Sequence, residues 1–549
     1  MKTVIKTAVK VTIKFSMLSF AFLPFVVFSS PIDSDAIKQQ VQSIELSVLG
    51  TYDSGIIDDS AAEIVAYDAK SRRLFVTNAS EDSIDIISIS KPDMPTKVSS
   101  IDLRRFGSPN SVTVKRGIVA VAVEASVKQN LGSVVMFDRK GRFLNQLQVG
   151  ALPDMLTFTP DGSKIVVANE GEPNDEYTVD PEGSISIIEI SLPIHKMTQS
   201  AVTTLNFHQF DNQTFSNSLR IFGPNASVSQ DLEPEYITVS NDSNTAWVSL
   251  QENNGFAVVD LQNNKITKLV GLGTKSFDSI QTAMDASDKD GAVNIQAWPV
   301  EGFYQPDSIA SYEHNGQTFL ITANEGDARD YDGFSEEERV DDLVLDSAIT
   351  DQFPNIQDDE QLGRLKVTTV SGDSDQDGDI DQIFAFGGRS FSIWNADGKI
   401  VFDSGSDFAR ITSSAEPRIF NGGDRRSDDK GAEPEAVTVG QIDDQTYAFI
   451  GLERTGGIMV YNVTDPLSPY FVQYINNTNP NGNVDLGTAG DVAPEGIVFI
   501  SAKDSPVRVP LLVVTNEVSG TTTVYKVDSR SKNRNPRYHY YKGHYYKGG

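Results

Sequence analysis

The sharpest chemical signal in the chain is a run of nine residues, Asp373-Ser374-Asp375-Gln376-Asp377-Gly378-Asp379-Ile380-Asp381. Side-chain oxygens at the first, third and fifth positions, with glycine at the sixth for the turn, suit Ca²⁺, which takes 6–8 oxygen ligands. This is not an EF-hand, because the twelfth position is Phe384 where a bidentate Glu is needed. Asp381 at the ninth position completes the shell, directly or through water, and Asp379 adds a further carboxylate. The plain alternative is a solvated acidic turn. A less regular second candidate uses Asp285, Asp288 and Asp290 ahead of Gly291 and Asn294.

Other chemistries find little support. The chain has no cysteine, which excludes disulfides, thiolate metal sites and Cys nucleophiles. Of five histidines, His195, His208 and His314 lack metal-ligand or triad spacing, and the other two lie near the C-terminus. No phosphate-cradling Gly-Lys-Ser/Thr loop, Gly-x-Ser-x-Gly elbow or His-Glu-x-x-His motif occurs. An enzyme built from this sequence must therefore activate water on a metal held by carboxylates, with Ca²⁺ or another divalent ion as cofactor. The net charge of −30 opposes phosphate neutralisation and argues against a nucleic-acid partner.

The elements that position these acids are repeats. A Pro or small residue, an acid or amide, a short strand, a turn and a second strand ending in Asn/Leu-Glu recur along the body. Copies begin at Pro153-Asp154, Glu233-Pro234-Glu235, Pro306-Asp307, Glu433-Pro434-Glu435 and Pro494-Glu495, with weaker ones at Glu63 and Pro109-Asn110. A third strand with two-residue alternation follows each second strand, as in Ser184-Ile185-Ser186-Ile187-Ile188-Glu189, and reads as half-buried antiparallel sheet. The early anchors lie at about the spacing of propeller blades, roughly 40–45 residues. The fold expected is all-β, a seven-bladed β-propeller with insertions at Lys275–Gly302 and Gly326–Gly363. The segment Gln382–Gly405 reads as the outer half of the fifth blade or as an eighth. Two separate β domains would explain neither the last repeat's missing fourth strand nor the spare strand Ile44–Leu49. Pairing those two closes the ring.

In such a ring the start of each first strand and the end of each second strand share one rim. The first set is Glu63, Asn110, Asp154, Glu235, Asp307, Glu435 and Glu495; the second is Glu124, Glu170, Glu252, Glu325, Glu453 and Glu517. Carboxylates crowded at one opening stay ionised only if cations, arginines or water offset them, and Arg329, Arg389 and Arg454 are the expected partners. Either these acids form a metal or cation funnel, or they accept backbone hydrogen bonds that fix the repeat.

The ends differ from the body. Basic Lys2, Lys6, Lys10 and Lys14 precede the apolar stretch Phe15–Phe28 and small residues, so residues 1–36 read as an export signal, with an uncleaved anchor as the alternative. Residues 37–529 form the propeller. Residues 530–549 carry six basic residues and a duplicated His-Tyr-Tyr-Lys-Gly. This tail is either disordered or a binder of the acidic body, a polyanion or a glycan. The expected product is a monomer without a membrane span, secreted, periplasmic or at the cell surface, with an extracellular ligand or surface component as partner.

Three longer motifs carry a resemblance: Ala323-Asn324-Glu325-Gly326-Asp327-Ala328-Arg329-Asp330-Tyr331, Leu362-Gly363-Arg364-Leu365 and Phe386-Gly387-Gly388-Arg389-Ser390-Phe391-Ser392-Ile393-Trp394. With Asp285–Gly291 and the repeated Glu-Pro-Glu, they resemble the choice-of-anchor I domain, a secreted β-propeller family. The resemblance spans Glu45 to Val527 and implies an extracellular or surface-binding role. Some bacterial relatives are labelled alkaline phosphatase-like, and the Glu-rich strands are similar to those of phytase-like propellers. That implies a second function, a metal-dependent phosphoesterase using Glu325, Asp327 and Arg329 with neighbouring mouth acids.

Overall fold

The computed structural model describes residues 43–58, 60–216 and 218–530. The export-signal segment lies outside the described residues, as does the basic tail beyond Arg530. Among the described residues no helix is long and apolar enough to cross a membrane.

The repeats fold as four-stranded antiparallel sheets, seven among the described residues. In chain order they open with Val65–Asp68, Pro109–Lys115, Pro153–Phe158, Pro234–Val239, Ile309–His314, Pro434–Ile442 and Pro494–Ile500, and we call them blades 1 to 7. These first strands touch in cyclic order, and that of blade 7 returns to that of blade 1. A separate apolar cluster fills each gap between neighbouring blades. The protein is therefore a β-propeller.

Ring closure follows the expected pairing. Ser43–Asp53 lies antiparallel to Thr521–Arg530, with Leu46 opposite Val527 and Val48 opposite Tyr525, and supplies the outer strand of blade 7. Ser390–Asn395 and Ile400–Asp403 form the outer half of blade 5 rather than a further sheet.

The third strands differ from the half-buried reading. Ser83–Ser88 and Ser184–Glu189 are buried at nearly every position, because neighbouring blades cover both faces. Several of their polar residues are enclosed and partnered: Ser186 accepts from Asn169 Nδ2 at 3.1 Å, and Asp85 pairs with Lys97 at 2.8 Å, while Ser83 Oγ is buried without a partner. Alternation here records internal hydrogen bonding, which buried polar groups require.

The two insertions are not separate excursions. Thr274–Ser276 and Val300–Phe303, between blades 4 and 5, join Glu337–Arg339, Lys366–Thr368 and Ile383–Ala385, from within blade 5, in one five-stranded sheet. Trp298, Val300, Val340, Leu362 and Val367 build its own core.

Leu46 is 2% exposed and packs in the gap between blades 6 and 7. Leu46→Ala should therefore lower unfolding stability by about 2–5 kcal/mol, read as a lower denaturant midpoint at unchanged slope.

Candidate functional site

A repeated bulge positions the first set of acids. In blade 3, Pro153 pairs with Asn169 and Leu156 with Val167, so Asp154 and Met155 face the single residue Ala168. The same two-against-one register places Glu235 in blade 4, Glu435 in blade 6 and Glu495 in blade 7. Such a bulge bends the strand and re-aims its side chain. The residue before the proline is often left-handed, with φ of 44° at Leu152, 41° at Gln305, 51° at Glu433 and 60° at Ala493.

One hydrogen bond then brings the second set alongside. Glu170 N–H donates to Leu152 O at 2.9 Å, Glu453 N–H to Glu433 O at 2.7 Å and Glu517 N–H to Ala493 O at 2.8 Å. In blade 5 the equivalent donor is Gly326 N–H, to Gln305 O at 3.1 Å. Acids from blades 5 and 6 converge as a result. Oxygens of Asp307, Glu325 and Glu435 lie within 4.8 Å of one another, and so do those of Glu325, Glu433 and Glu453.

Electrostatics follow from enclosure. Asp154, Glu170, Glu235, Glu252, Asp307, Glu435 and Glu495 keep partial solvent contact, as side chains lining a narrow channel do. Burial raises the carboxyls of Asp154, Glu252, Glu453 and Glu63 to about 7. Glu170, Glu235, Glu325, Glu435 and Glu495 are pushed well above the ordinary carboxylate range, by burial first and then by neighbouring acids, with Lys430 opposing the shift at Glu325. Asp307 is raised by burial and lies in hydrogen-bond contact with Glu435, so that pair holds a shared proton or a cation.

Among the described residues, the ion pairs to ring acids lie on blades 5 and 6. Lys430 Nζ sits 3.2 Å from Glu325 and 3.0 Å from Asp327, and Gln251 Nε2 donates to Glu325 at 2.9 Å. Arg454 pairs with Glu453 at 3.0 Å and Glu433 at 3.3 Å, and Arg426 joins Glu433 at 2.7 Å. Glu517 accepts from Ser60 at 3.0 Å. Arg454 thus takes its expected place.

Arg329 and Arg389 do not. Arg329, 1% exposed, is held by Asp231 at 2.5 Å and Glu233 at 3.0 Å beneath the Phe222 ring, which turns it away from Glu325 and Asp327. Arg389 donates to the carbonyls of Asp285, Ser427 and Asp429, so it braces loops instead of offsetting channel acids. Burial without an ion-pair partner lowers it to about 10.

The aspartate turn gathers in part. Oxygens of Asp373, Asp375 and Asp381 lie within 4.8 Å, and those of Asp346, Asp379 and Asp381 form an adjoining set. Asp373 caps Gln376 N–H at 2.6 Å and Gly378 N–H at 3.1 Å, and Asp381 accepts from Ser374 N–H at 2.7 Å. Asp377 falls outside both sets, because it faces Asp379 N–H at 3.3 Å.

Asp285, Asp288 and Asp290 do not gather as a ligand set among the described residues. Asp288 is claimed by Arg364 and Lys289, Asp285 accepts from Asn294 N–H at 2.7 Å, and Asp290 accepts from Ala292 N–H at 3.0 Å.

Sequence reasoning missed Lys430, Arg426, Asp231 and Asp346, which reach the site from loops and, for Asp231, a short helix, with no repeat signature. Glu233 and Glu433 stood in view as the first residues of Glu-Pro-Glu. Each is the fully buried partner of an arginine, while the second Glu lines the channel.

A family model for the choice-of-anchor I domain matches residues 63–466. Gigasin-3a of Magallana gigas is 30% identical over 197 residues, 32% of this chain and 68% of that protein. A mesenchyme-specific cell surface glycoprotein of Strongylocentrotus purpuratus is 27% identical over 319 residues, 48% of this chain and 40% of that protein. The chain therefore spans less than half of the sea-urchin protein. Among solved structures, Kuenenia stuttgartiensis hydrazine synthase aligns with TM-score 0.44 at 11% identity, over 86% of this chain and 99% of that one. The WD40 domain of Toxoplasma gondii coronin aligns with TM-score 0.44 at 9% identity, over 90% and 88%.

Crowded acids have a pH signature. Those with folded values of about 7 sit near the ordinary 4–4.5 when unfolded. Between those values the folded chain binds more protons than the unfolded one, so stability is highest on the acid side and falls as pH rises. Asp102 and Asp161, depressed to about 2, act below this window. In chelator, Tm should drop by at least about 5 °C between roughly pH 5 and pH 8. A flat or rising melting profile contradicts the burial argument.

Proposed function

The chain belongs to the choice-of-anchor I domain family, and we propose that it is an extracellular Ca²⁺-binding propeller that engages a ligand or surface partner. The family and the sea-urchin relative, named a cell surface glycoprotein, support the extracellular setting. The Ca²⁺ reading is carried by the convergence of Asp373, Asp375 and Asp381 oxygens within 4.8 Å on a turn whose backbone N–H groups are already capped. Glycine at 378, with φ of 102°, permits the wrap. An all-oxygen set suits a hard cation of flexible coordination, and Asp346 with Asp379 adds oxygens at one side. A bound ion would cancel the repulsion by which Asp377 raises Asp375. Ca²⁺ there would pin the long insertion against the five-stranded sheet, a stable surface for recognition beside the ring.

The second reading, a metal-dependent phosphoesterase, rests on Lys430 beside Glu325 and Asp327 as a cation for phosphate. It has no free guanidinium to add, since Asp231 and Glu233 engage Arg329. Binding therefore stands first.

Three measurements test this. Calorimetric titration should show Ca²⁺ binding that the D373N/D381N double variant weakens by at least about tenfold at the turn. Ca²⁺ at about 100 times Kd should add about 2.7 kcal/mol to wild-type stability. With Ca²⁺ or Mn²⁺ present, nitrophenyl phosphate mono- and diesters should turn over only at the protein-free rate.

A further inference from the structure

We propose that the arc of the channel spanning blades 4 to 6 is a second divalent-cation site, with Asp307 and Glu435 as its central ligands and Glu325 and Glu235 beside them. This goes beyond the aspartate turn and does not depend on it.

Three observations carry the site. Asp307, Glu325 and Glu435 offer oxygens within 4.8 Å of one another, though they come from two blades and lie more than a hundred residues apart at the extremes. Lys430 answers Glu325 and Asp327, and Arg426 and Arg454 answer Glu433 and Glu453. Among the described residues no lysine or arginine ion-pairs with Asp307, Glu435 or Glu235, so protons or an ion must offset them. The third observation is independent of the cluster. Glu235 keeps partial solvent contact as a residue, with Asp307 its strongest charged neighbour, yet its Oε2 has neither solvent contact nor a hydrogen-bond partner. A sealed carboxylate oxygen without a donor is an expensive arrangement, and a cation beside Asp307 resolves it.

The donor set names the class of ion. Every ligand is a carboxylate oxygen, with no imidazole or thiolate among them, which suits Ca²⁺ or Mn²⁺ and not a soft metal. Bulges behind Pro234 and Pro434 set Glu235 and Glu435 before any ion arrives, and Asp307 follows Pro306.

The test separates the two sites. Calorimetric titrations with Ca²⁺ and with Mn²⁺ are run on the full chain, on D373N/D381N and on the same double variant carrying E435Q or D307N. The double variant should still bind one ion, and E435Q or D307N should weaken that binding by at least about tenfold. Each variant's cooperative melt establishes that it folds, and E235Q replaces any that does not. Loss of all binding in D373N/D381N overturns the channel site while upholding the turn. Residual binding unmoved by E435Q, D307N and E235Q overturns it as well. Binding of free guanidinium in place of either metal would assign the arc to an organic cation and also overturn the proposal. Wild-type binding unaffected by D373N/D381N but abolished by E435Q supports the channel and removes the turn instead.

Discussion

Crowding of like charge around a closed ring is the constraint to which the rest of this structure answers. Seven first strands touch in cyclic order, and an acid or amide stands at or near the start of each. Most of those residues are acids. Every repeated local device on the axis side either sets a carboxylate in place or answers one: the proline, the two-against-one bulge, and the bond from the second strand end to the carbonyl before the proline. Repulsion at this hub must be met by protons, cationic side chains or ions, and the structure divides the labour unevenly.

The Glu-Pro-Glu tripeptide shows that division on the smallest scale. In Glu433-Pro434-Glu435 the first carboxylate is fully buried against Arg426 and Arg454, and the second faces the channel without a cationic partner. In Glu233-Pro234-Glu235 the first carboxylate meets Arg329, and the second has an unsatisfied oxygen. Proline between them fixes the backbone, so adjacent glutamates serve opposite ends: one ties an insertion to the ring, the other charges the hub. Arg329 belongs to the tying function. With Arg220 it sandwiches Phe222, at 4.5 and 4.3 Å, and Arg220 pairs in turn with the buried Glu336 of the insertion.

Much of the architecture was legible because repetition amplifies weak local signals. The recurring Pro-acid start, the apolar second strand and the Asn/Leu-Glu end each recur often enough to define a unit. The unpaired Ile44–Leu49 has an obvious partner at the far end. The alternation of the third strands misled as to exposure, since Ser186 and Asp85 face neighbouring blades and not water. Within the site, the rim acids were legible from the repeat, but their cations were not. Lys430, Arg426 and Asp346 sit in loops unique to one blade, brought in by tertiary folding that no period encodes. Arg389 and Arg329 looked like partners because they follow glycine-rich motifs near the acids. Their guanidinium groups are instead consumed by carbonyls and by Asp231 and Glu233, and only coordinates reveal such competition. The aspartate turn was half legible: spacing identified Asp373, Asp375 and Asp381, but the backbone folds Asp377 away and brings in Asp346 from a distant capping position.

The ladder joining Ser43–Asp53 to Thr521–Arg530 has a bearing on biosynthesis. A ribosome delivers the first of these strands long before the second, so Ser43–Asp53 waits for all seven blades to be made before it finds its mate. Until then both the nascent N-terminal strand and the open flank of blade 1 display unsatisfied amides and apolar surface, the state in which chains associate wrongly. Ring closure thus waits for Thr521–Arg530, and a product interrupted anywhere before residue 521 lacks the clasp altogether.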